Sequence, residues 1–414
     1  MRDTDLFQMA PGLTPPWQVE SCEFVAEQKR LDIRLAFPRG SVFVCPQCGQ
    51  ADLKAYDTTE KSWRHLNFFQ HEAWLTAKLP RVKCNHCGVK QVSVPWARPG
   101  SGFTLLFEAL VMSLAKPMPT RSLAMHVGEQ DTRLWHVVNH HVEEARTRIS
   151  FVDVASFGVD ETTSKRGHNY VTVFARLRSH KVLFATEGRD AATIQRFKEE
   201  LAAHGGDPAK VNEVCCDMSP AFISGVEANC PEAHITFDRF HIMKVPGDAV
   251  DQVRREEAKT RPELAKSRYV WLKNRDKLPA SQQERLAALT MSRLNLKTAR
   301  AWQLKTTFQD LFQQAPGQAE AFLKRWYFWA THCRLEPMKQ AAATIKRHWD
   351  GILRWFTSRI SNGILEGTNS LIQAARSRAR GYRSTKNLIA MIYLLAAGLS
   401  FALPTCTAVP LNLE

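Results

Sequence analysis

Residues 156–177 read SFGVDETTSKRGHNYVTVFARL. FGVDE (157–161) and NYVTVFARL (169–177) within it are short runs of β-branched and aromatic residues, and turn residues lie between them. That is the pattern of two short strands joined by a turn. KVLFATEG at 181–188 adds a third strand, and RDAATIQRFKEELAAHG at 189–205 has the periodicity of an amphipathic helix. VNEVCCDMSPAF (211–222) reads as an apolar strand ending in Asp217, with Ser219-Pro220 opening another helix. AHITFDRFHIMK (233–244) supplies a further strand, closed by Asp238. Three strands, a helix, a strand, a helix, a strand and a helix is the element order of an RNase H-like fold, a mixed sheet flanked by helices.

In that order the first strand is central and carries Asp160, and the fourth lies beside it and ends in Asp217. Two carboxylates on adjacent strands repel each other unless they share a hard divalent cation such as Mg²⁺. Asp is also a common turn former at strand ends, so each acid taken singly is ambiguous. Glu161 is expected on the opposite sheet face because strand side chains alternate. Asp238 closes the fifth strand, beyond the fourth, and is expected in a supporting position.

A third acid stands in SNGILEGTNS (361–370), ahead of Arg376, Arg378, Arg380 and Arg383. Helical spacing groups Ile364, Leu371 and Ala375 as an apolar face, with Glu366, Asn369 and Gln373 on the polar face. A helix N-terminus favours negative charge in any case. Placed next to Asp160 and Asp217, however, Glu366 completes a two-metal set. One ion would activate the attacking water or 3′-hydroxyl and the other would stabilise the leaving 3′-oxygen. Asn369 is expected to support that set, and the four arginines suit phosphate contacts.

Nearer the N-terminus, Cys45-Pro-Gln-Cys48-Gly and Cys84-Asn-His-Cys87-Gly are near-copies. Each places two thiolates across a tight turn, and two such knuckles supply the four soft ligands of a tetrahedral structural zinc. A redox pair is the competing reading of C-x-x-C. The 35 residues between the knuckles contain alternating apolar runs able to form a long hairpin that brings the second back to the first. His71 and His86 are spare ligands. Arg64, Arg81, Lys83 and Lys90 add positive charge to this ribbon. After FTLLFEALVMSLA, an amphipathic helix, TRSLAMHVGEQDTRLWHVVNHHVEEA has the spacing of a helix-turn-helix. Ala124 permits close helix contact, Gly128 makes the turn, and Leu134 and Val137 bury the second helix. Asp131 or Thr132 would cap that helix, exposing Arg133, His136 and His140 to a DNA groove. An ordinary helical hairpin is the alternative.

The 414 residues are 44% apolar and 23% charged, as in ordinary globular proteins, but the formal charge is +15. An excess of that size points to a polyanionic partner, nucleic acid by default. No secretory or transit pattern opens the chain, so the expected location is cytoplasmic. Of the ten cysteines, four sit in the two knuckles. LIAMIYLLAAGLSFAL (388–403) is apolar but shorter than the roughly 20 residues a membrane span needs, so a buried helix is expected and no membrane. Residues 249–358 turn helical and mixed in charge, with Trp271, Trp302, Trp326, Trp329, Trp349 and Trp355 spaced through them, more as core than as stacking platforms.

CPQCG, CNHCG, the helix-turn-helix, GVDE, CCDMSPAF, FDRFH and SNGILEGTNSLIQAARSRARGYRS together resemble the ISL-three family of insertion-sequence transposases, DDE enzymes with an RNase H-like core. The likeness spans about residues 20–400. It implies Asp160, Asp217 and Glu366 as the catalytic acids, holding Mg²⁺ or Mn²⁺. It also implies binding of terminal inverted repeats, hydrolysis at the element ends and joining of 3′-ends to target DNA. A homodimer in the DNA complex and a bacterial, nucleoid-associated location go with that role. The expected organisation is multidomain α+β. An N-terminal segment (1–40) precedes a zinc ribbon (41–98) and a helix-turn-helix domain (100–150). The RNase H-like core (153–248) is interrupted by the all-helical insertion (249–358), resumes at 359–403 with Glu366, and is followed by a tail (404–414). The rival functions are a transposase-derived DNA-binding regulator without catalysis and an RNase H-like nuclease. Neither needs the acid triad, the ribbon and the helix-turn-helix together.

Overall fold

The computed structural model describes residues 7–8, 13–165, 167, 169–360 and 362–404, apart from the side chain of Ile364. The chain divides into two compact units. One comprises 1–146 with 377–380 and 399–414, and the other 147–376 with 381–398.

The first unit is built on a sheet of β1 (Gln18–Val25), β2 (Arg30–Ala36), β3 (Val42–Phe43), β4 (Leu53–Phe68), β5 (His71–Cys84) and β6 (Gly88–Gln91). Its order is β1-β2-β5-β4-β3, with β6 on β5. The long hairpin expected between the knuckles is β4–β5, antiparallel from Ala55↔Val82 to Phe68↔His71. It returns Cys84 to the level of Cys45 and Cys48. The β1–β2 hairpin within 18–36 joins the same sheet through a parallel β2–β5 ladder. Alternation along β2 and β5 buries Leu31, Ile33, Leu35, Leu75, Ala77 and Leu79 around Trp17, Trp63 and Trp96.

Three helices follow: α1 (Leu105–Leu114), α2 (Thr120–Val127) and α3 (Asp131–Arg146). Leu123 and Ala124 of α2 and Leu134 and Val137 of α3 are buried, and the turn between the helices passes through Gly128 at φ 71°. A side chain there would be strained, which is why the turn wants glycine. Helix α3 starts at Asp131, so Asp131 and Thr132 lie inside its first turn rather than capping it.

The second unit holds a mixed sheet of order β11-β10-β7-β8-β9. Its strands are β7 (Ser156–Lys165), β8 (Asn169–Arg176), β9 (Val182–Glu187), β10 (Glu213–Cys216) and β11 (His234–Phe237). β7, β8 and β9 form an antiparallel meander, while β10 and β11 run parallel to β7. The parallel strands arrive through helices α4 (Ala191–Ala203) and α5 (Pro220–Asn229). Phe174 and Phe197 stack with ring centroids 4.4 Å apart, joining sheet to helix. This is the RNase H-like arrangement expected from the element order.

Helix α6 (Arg239–Glu257) leads into α7 (Arg268–Leu272), α8 (Ala280–Leu289), α9 (Lys297–Gln309), α10 (Pro316–Thr331), α11 (Glu336–Arg347) and α12 (Trp349–Ser358), an all-helical insertion. Trp271 and Trp326 are buried, and Trp302, Trp349 and Trp355 pack against the core; Trp329 is exposed. The chain then returns as α13 (Gly363–Arg378) and α14 (Thr385–Ala396). Of the apolar stretch at 388–403, residues 388–396 form the buried part of α14 on β9, where Tyr393 Oη accepts the Ala185 N–H at 2.9 Å, and residues 397–403 leave the helix as irregular chain. Among the described residues no helix is long and apolar enough to cross a membrane.

Candidate active site

The sheet register lines up the acids. Gly158 pairs with Cys215, and Cys215 pairs with Thr236. Two residues further along each strand are Asp160, Asp217 and Asp238. A two-residue step preserves the face, so the three carboxylates form a row across adjacent strands spaced about 4.8 Å apart. Asp238 N–H donates to the Cys216 carbonyl at 3.0 Å, which continues the β10–β11 pairing to the acids themselves.

The row is electrostatically strained. Burial pushes the Asp160 carboxyl up to about 6; the Glu161 N–H and His241 oppose the rise, and Asp217 and Asp238 add to it. Asp217 Oδ1 accepts the Ser219 N–H at 2.9 Å, fixing its side chain at the head of α5. Asp238 is buried. Its Oδ1 accepts the Asn362 N–H at 3.1 Å, while Oδ2 has no hydrogen-bond partner among the described residues. A buried, orphaned carboxylate oxygen beside two further carboxylates is a donor set suited to a hard cation. Glu161 stands 4.0 Å from Arg189, and burial raises its carboxyl too. Asp217 still acts on it, so alternation does not isolate Glu161 from the row.

Helix α13 is docked on β7 by one polar seam. Asn369 Nδ2 donates to Asp160 Oδ2 at 2.8 Å. One turn on, Gln373 Nε2 donates to Thr162 Oγ1 at 2.6 Å. Arg376 Nη1 donates to the Thr163 carbonyl at 3.0 Å. Glu366, one turn before Asn369, is exposed and belongs to this seam by helical spacing. The buried face differs from the expected one. Leu365, Thr368, Ile372 and Ala375 are buried, and Leu371 is 41% exposed. Ile364 lies outside the described side chains. The polar set Glu366, Asn369 and Gln373 stands because the seam follows the strand rather than the core.

Nothing in the sequence singles out Asn362. Its N–H donates to Asp238, its Nδ2 to the Val159 carbonyl at 3.2 Å, and its own carbonyl accepts the Glu366 N–H at 3.0 Å. One residue thus ties the start of α13 to β7 and to Asp238. The only available signal was its place four residues before Glu366, where a helix cap belongs. His241, three residues after Asp238, likewise acts on Asp160.

The expected DNA contacts are a mixed set. Arg64 is wholly buried; it donates to the Ala73 carbonyl at 3.3 Å and lies 3.8 Å from Glu72 and 4.0 Å from Glu129. It is a structural cation of the first unit, not a surface contact, because β4 turns it toward the α2–α3 corner. Arg81 is exposed and paired with Asp57, and Lys83 is exposed. Arg133 pairs with Glu129 and covers the Phe103 ring at 4.4 Å, while His136 is exposed on α3. Arg376 directs its donors to β7, and Arg378 donates to the Pro117 carbonyl at 2.7 Å. Arg380 and Arg383 are exposed, and the Arg383 carbonyl is held by Lys165 Nζ at 3.0 Å.

The knuckle sulfurs of Cys45, Cys48, Cys84 and Cys87 all lie within 4.8 Å of one another. Four thiolates around zinc at ~2.3 Å stand roughly 3.8 Å apart, so the cluster fits one tetrahedral ion. Gly49 and Gly88 take φ 76° and 75°, closing the turn of each knuckle. The N–H groups of Cys48 and Gln47 hold the Cys45 thiol down to about 7, while burial and the neighbouring sulfurs push Cys87 up to about 12. Without a cation the four thiolates cannot coexist. Neither His71 nor His86 belongs to the cluster.

Comparison with known proteins agrees with each part. Residues 41–87 match the zinc-finger of transposase IS204/IS1001/IS1096/IS1165, and residues 92–142 match the helix-turn-helix domain of transposase family ISL3. Residues 157–392 match the ISL3 transposase domain. The chain is 29% identical over 444 aligned positions, 98% of each chain, to the transposase for insertion sequence element IS1557 of Mycobacterium tuberculosis. It is 28% identical over 404 positions to the transposase for insertion sequence element IS1001 of Bordetella parapertussis, covering 92% of this chain and 96% of that one. With its sheet, α13 and the insertion all inside a match covering more than half its length, the chain belongs to the ISL3 family of transposases.

Proposed function

We propose that this transposase binds the terminal inverted repeats of an insertion sequence, cleaves at its ends with divalent metal and joins the 3′-ends to target DNA. One observation carries the reading: Asp160 and Asp217 stand level on neighbouring strands, and the Asn369–Asp160 bond docks beside them the helix face that bears Glu366. Asp160, Asp217 and Glu366 would hold Mg²⁺ or Mn²⁺, which supplies charge stabilisation and an acidified water to a phosphodiester displacement. The protein's own share is placement. Asn369 and the Glu161 N–H fix the Asp160 carboxylate, the Ser219 N–H fixes Asp217, and Asn362 fixes the start of the helix with Glu366. In the first step a water oxygen attacks phosphorus and the element's 3′-oxygen leaves. In the second that 3′-hydroxyl attacks a target phosphate and displaces its 3′-oxygen.

The exposed cations Lys83, His136, Arg380 and Arg383 are offered as DNA contacts, and zinc on the four knuckle cysteines as the support of the ribbon. Two ends must be held at once, which calls for two copies of the chain on the DNA. A bacterial cytoplasm, at the nucleoid, is where that substrate lies.

The test uses duplexes carrying the ends of the element that encodes the chain. Asp217→Asn and Glu366→Gln are expected to lose cleavage by at least a thousandfold while binding the same duplexes with unchanged affinity. Retained cleavage in either variant overturns the assignment.

A further inference from the structure

We infer that His140, His141 and Glu144 on α3 form a second metal site, one that takes a first-row divalent ion of the zinc class. At about 100° per residue, Glu144 lies one turn on and about 40° to 60° from each histidine, between the two. The donor atoms of the three lie within 4.8 Å of one another. His140 Nε2 stands 3.8 Å from Glu144 Oε2, and His141 Nδ1 stands 3.7 Å from the same oxygen. These separations exceed a hydrogen bond, which for such pairs ends near ~3.2 Å. They approach the roughly 3.3 Å between nitrogen and oxygen donors sharing a tetrahedral ion at about 2.0–2.1 Å.

The orientation of His141 is the second observation. Its Nε2 lies 2.7 Å from Glu108 Oε2, and a carboxylate partner makes that nitrogen the donor. Glu108 is fully buried and is itself fixed by Arg98 Nε at 3.0 Å and Ser101 Oγ at 2.7 Å. The remaining nitrogen, Nδ1, is thereby turned toward Glu144, and in the neutral ring its lone pair faces that carboxylate, an arrangement a cation between them would satisfy. A carboxylate that orients the far nitrogen of a histidine is the arrangement metal-bound histidines use. Two imidazoles and one carboxylate favour a zinc-class ion over Mg²⁺ and leave one coordination position for water. An ion there would join three ligands of α3 and, through His141, bear on the Glu108 contact that already ties α3 to α1.

The experiment is equilibrium dialysis of the purified full chain against low-micromolar zinc sulfate, with zinc per chain read by plasma mass spectrometry. Two zinc ions per wild-type chain are expected. His140→Ala and Glu144→Gln, which leave the His141–Glu108 contact in place, each keep one, and the retained knuckle zinc shows that the unit is folded. Cys45→Ser loses the other. One zinc per wild-type chain overturns the proposal, as does an unchanged count in His140→Ala and Glu144→Gln. Either result leaves the three side chains as a polar cluster of α3 that takes no metal.

Discussion

Burial and two neighbouring carboxylates push Asp160 up to about 6, above the usual aspartate value. Its charge therefore opposes folding at neutral pH when no cation is bound. Asp160→Asn keeps one oxygen for the Glu161 N–H, can donate its Nδ2–H to the Asn369 Oδ1 once that amide turns over, and removes the charge. In chelator the variant is expected to be about 1–2 kcal/mol more stable than the wild type, a discounted share of ~1.4 kcal/mol per pH unit. It should also lose the rise in melting temperature that Mg²⁺ is expected to give the wild type; calorimetry with and without Mg²⁺ decides both. A histidine in the first unit works the other way. His65, beside Arg64 and 2.9 Å from Thr104 Oγ1, is held down to about 4 by burial. Its folded value lies below its unfolded one, so its contribution is complete above about 6.5 and is lost as pH falls toward 4. Up to about 3 kcal/mol is involved, and His65→Gln should flatten the denaturation midpoint across that window relative to the wild type. An equal acid loss in both chains would refute it. At this scale the acids were legible because Asp and Glu at element ends stand out in the sequence. Arg64 was not, because its burial is made by Glu72 and Ala73 across the β4–β5 hairpin and by Glu129 in the distant α2–α3 turn.

The helix that carries Glu366 is set by its first residues. Asn362 bonds Asp238, the Val159 carbonyl and the Glu366 N–H, and Gly158 lies directly beneath it. A Cβ on Gly158 would stand 2.7 Å from Asn362 Oδ1 and 2.9 Å from Leu365 Cδ1. Asn362→Ala should cost about 1–3 kcal/mol of stability, because it removes the Nδ2 bond to the buried Val159 carbonyl, while the main-chain bonds to Asp238 and Glu366 stay. Both Asn362→Ala and Gly158→Ala should lower the cleavage rate tenfold or more at saturating DNA, with affinity unchanged, because they shift α13 rather than the surface. A variant in which kcat is preserved would show that α13 is positioned by its later seam alone. Element identity and order were readable because each strand and helix carries its own periodicity and turn signals. The face of α13 was not, since a helix with polar residues at Glu366, Asn369 and Gln373 can bury either flank. Leu365 rather than Leu371 is inside because Asn369 and Gln373 must reach β7.

Across the whole molecule the two units have separate apolar cores. Trp17, Leu31, Trp63, Leu75 and Trp96 belong to one, and Phe157, Phe197, Val214, Trp271 and Trp326 to the other. The C-x-x-C repeats announced the zinc in the sequence because the chemistry of that site is local. The contribution of 18–36 to the ribbon sheet depends on a parallel β2–β5 pairing that no local pattern encodes. The four zinc-ligand cysteines gather at one end of that sheet: Cys45 and Cys48 precede β4, Cys84 ends β5, and β3 beside them has two residues. Removing the ion leaves crowded thiols at an open sheet end, while the Trp63–Trp96 core remains. The first unit should therefore lose several kcal/mol without unfolding at room temperature, and the second unit, which has no zinc ligands of the knuckle set, should lose none. At about 2–4 °C per kcal/mol for a unit of this size, the lower of two calorimetric transitions should fall by roughly 10 °C. Chelator treatment and Cys45→Ser should give the same shift. A single transition that moves as a whole would mean that the two cores melt together, and that the knuckles stabilise the sheet bearing the acids as much as the ribbon.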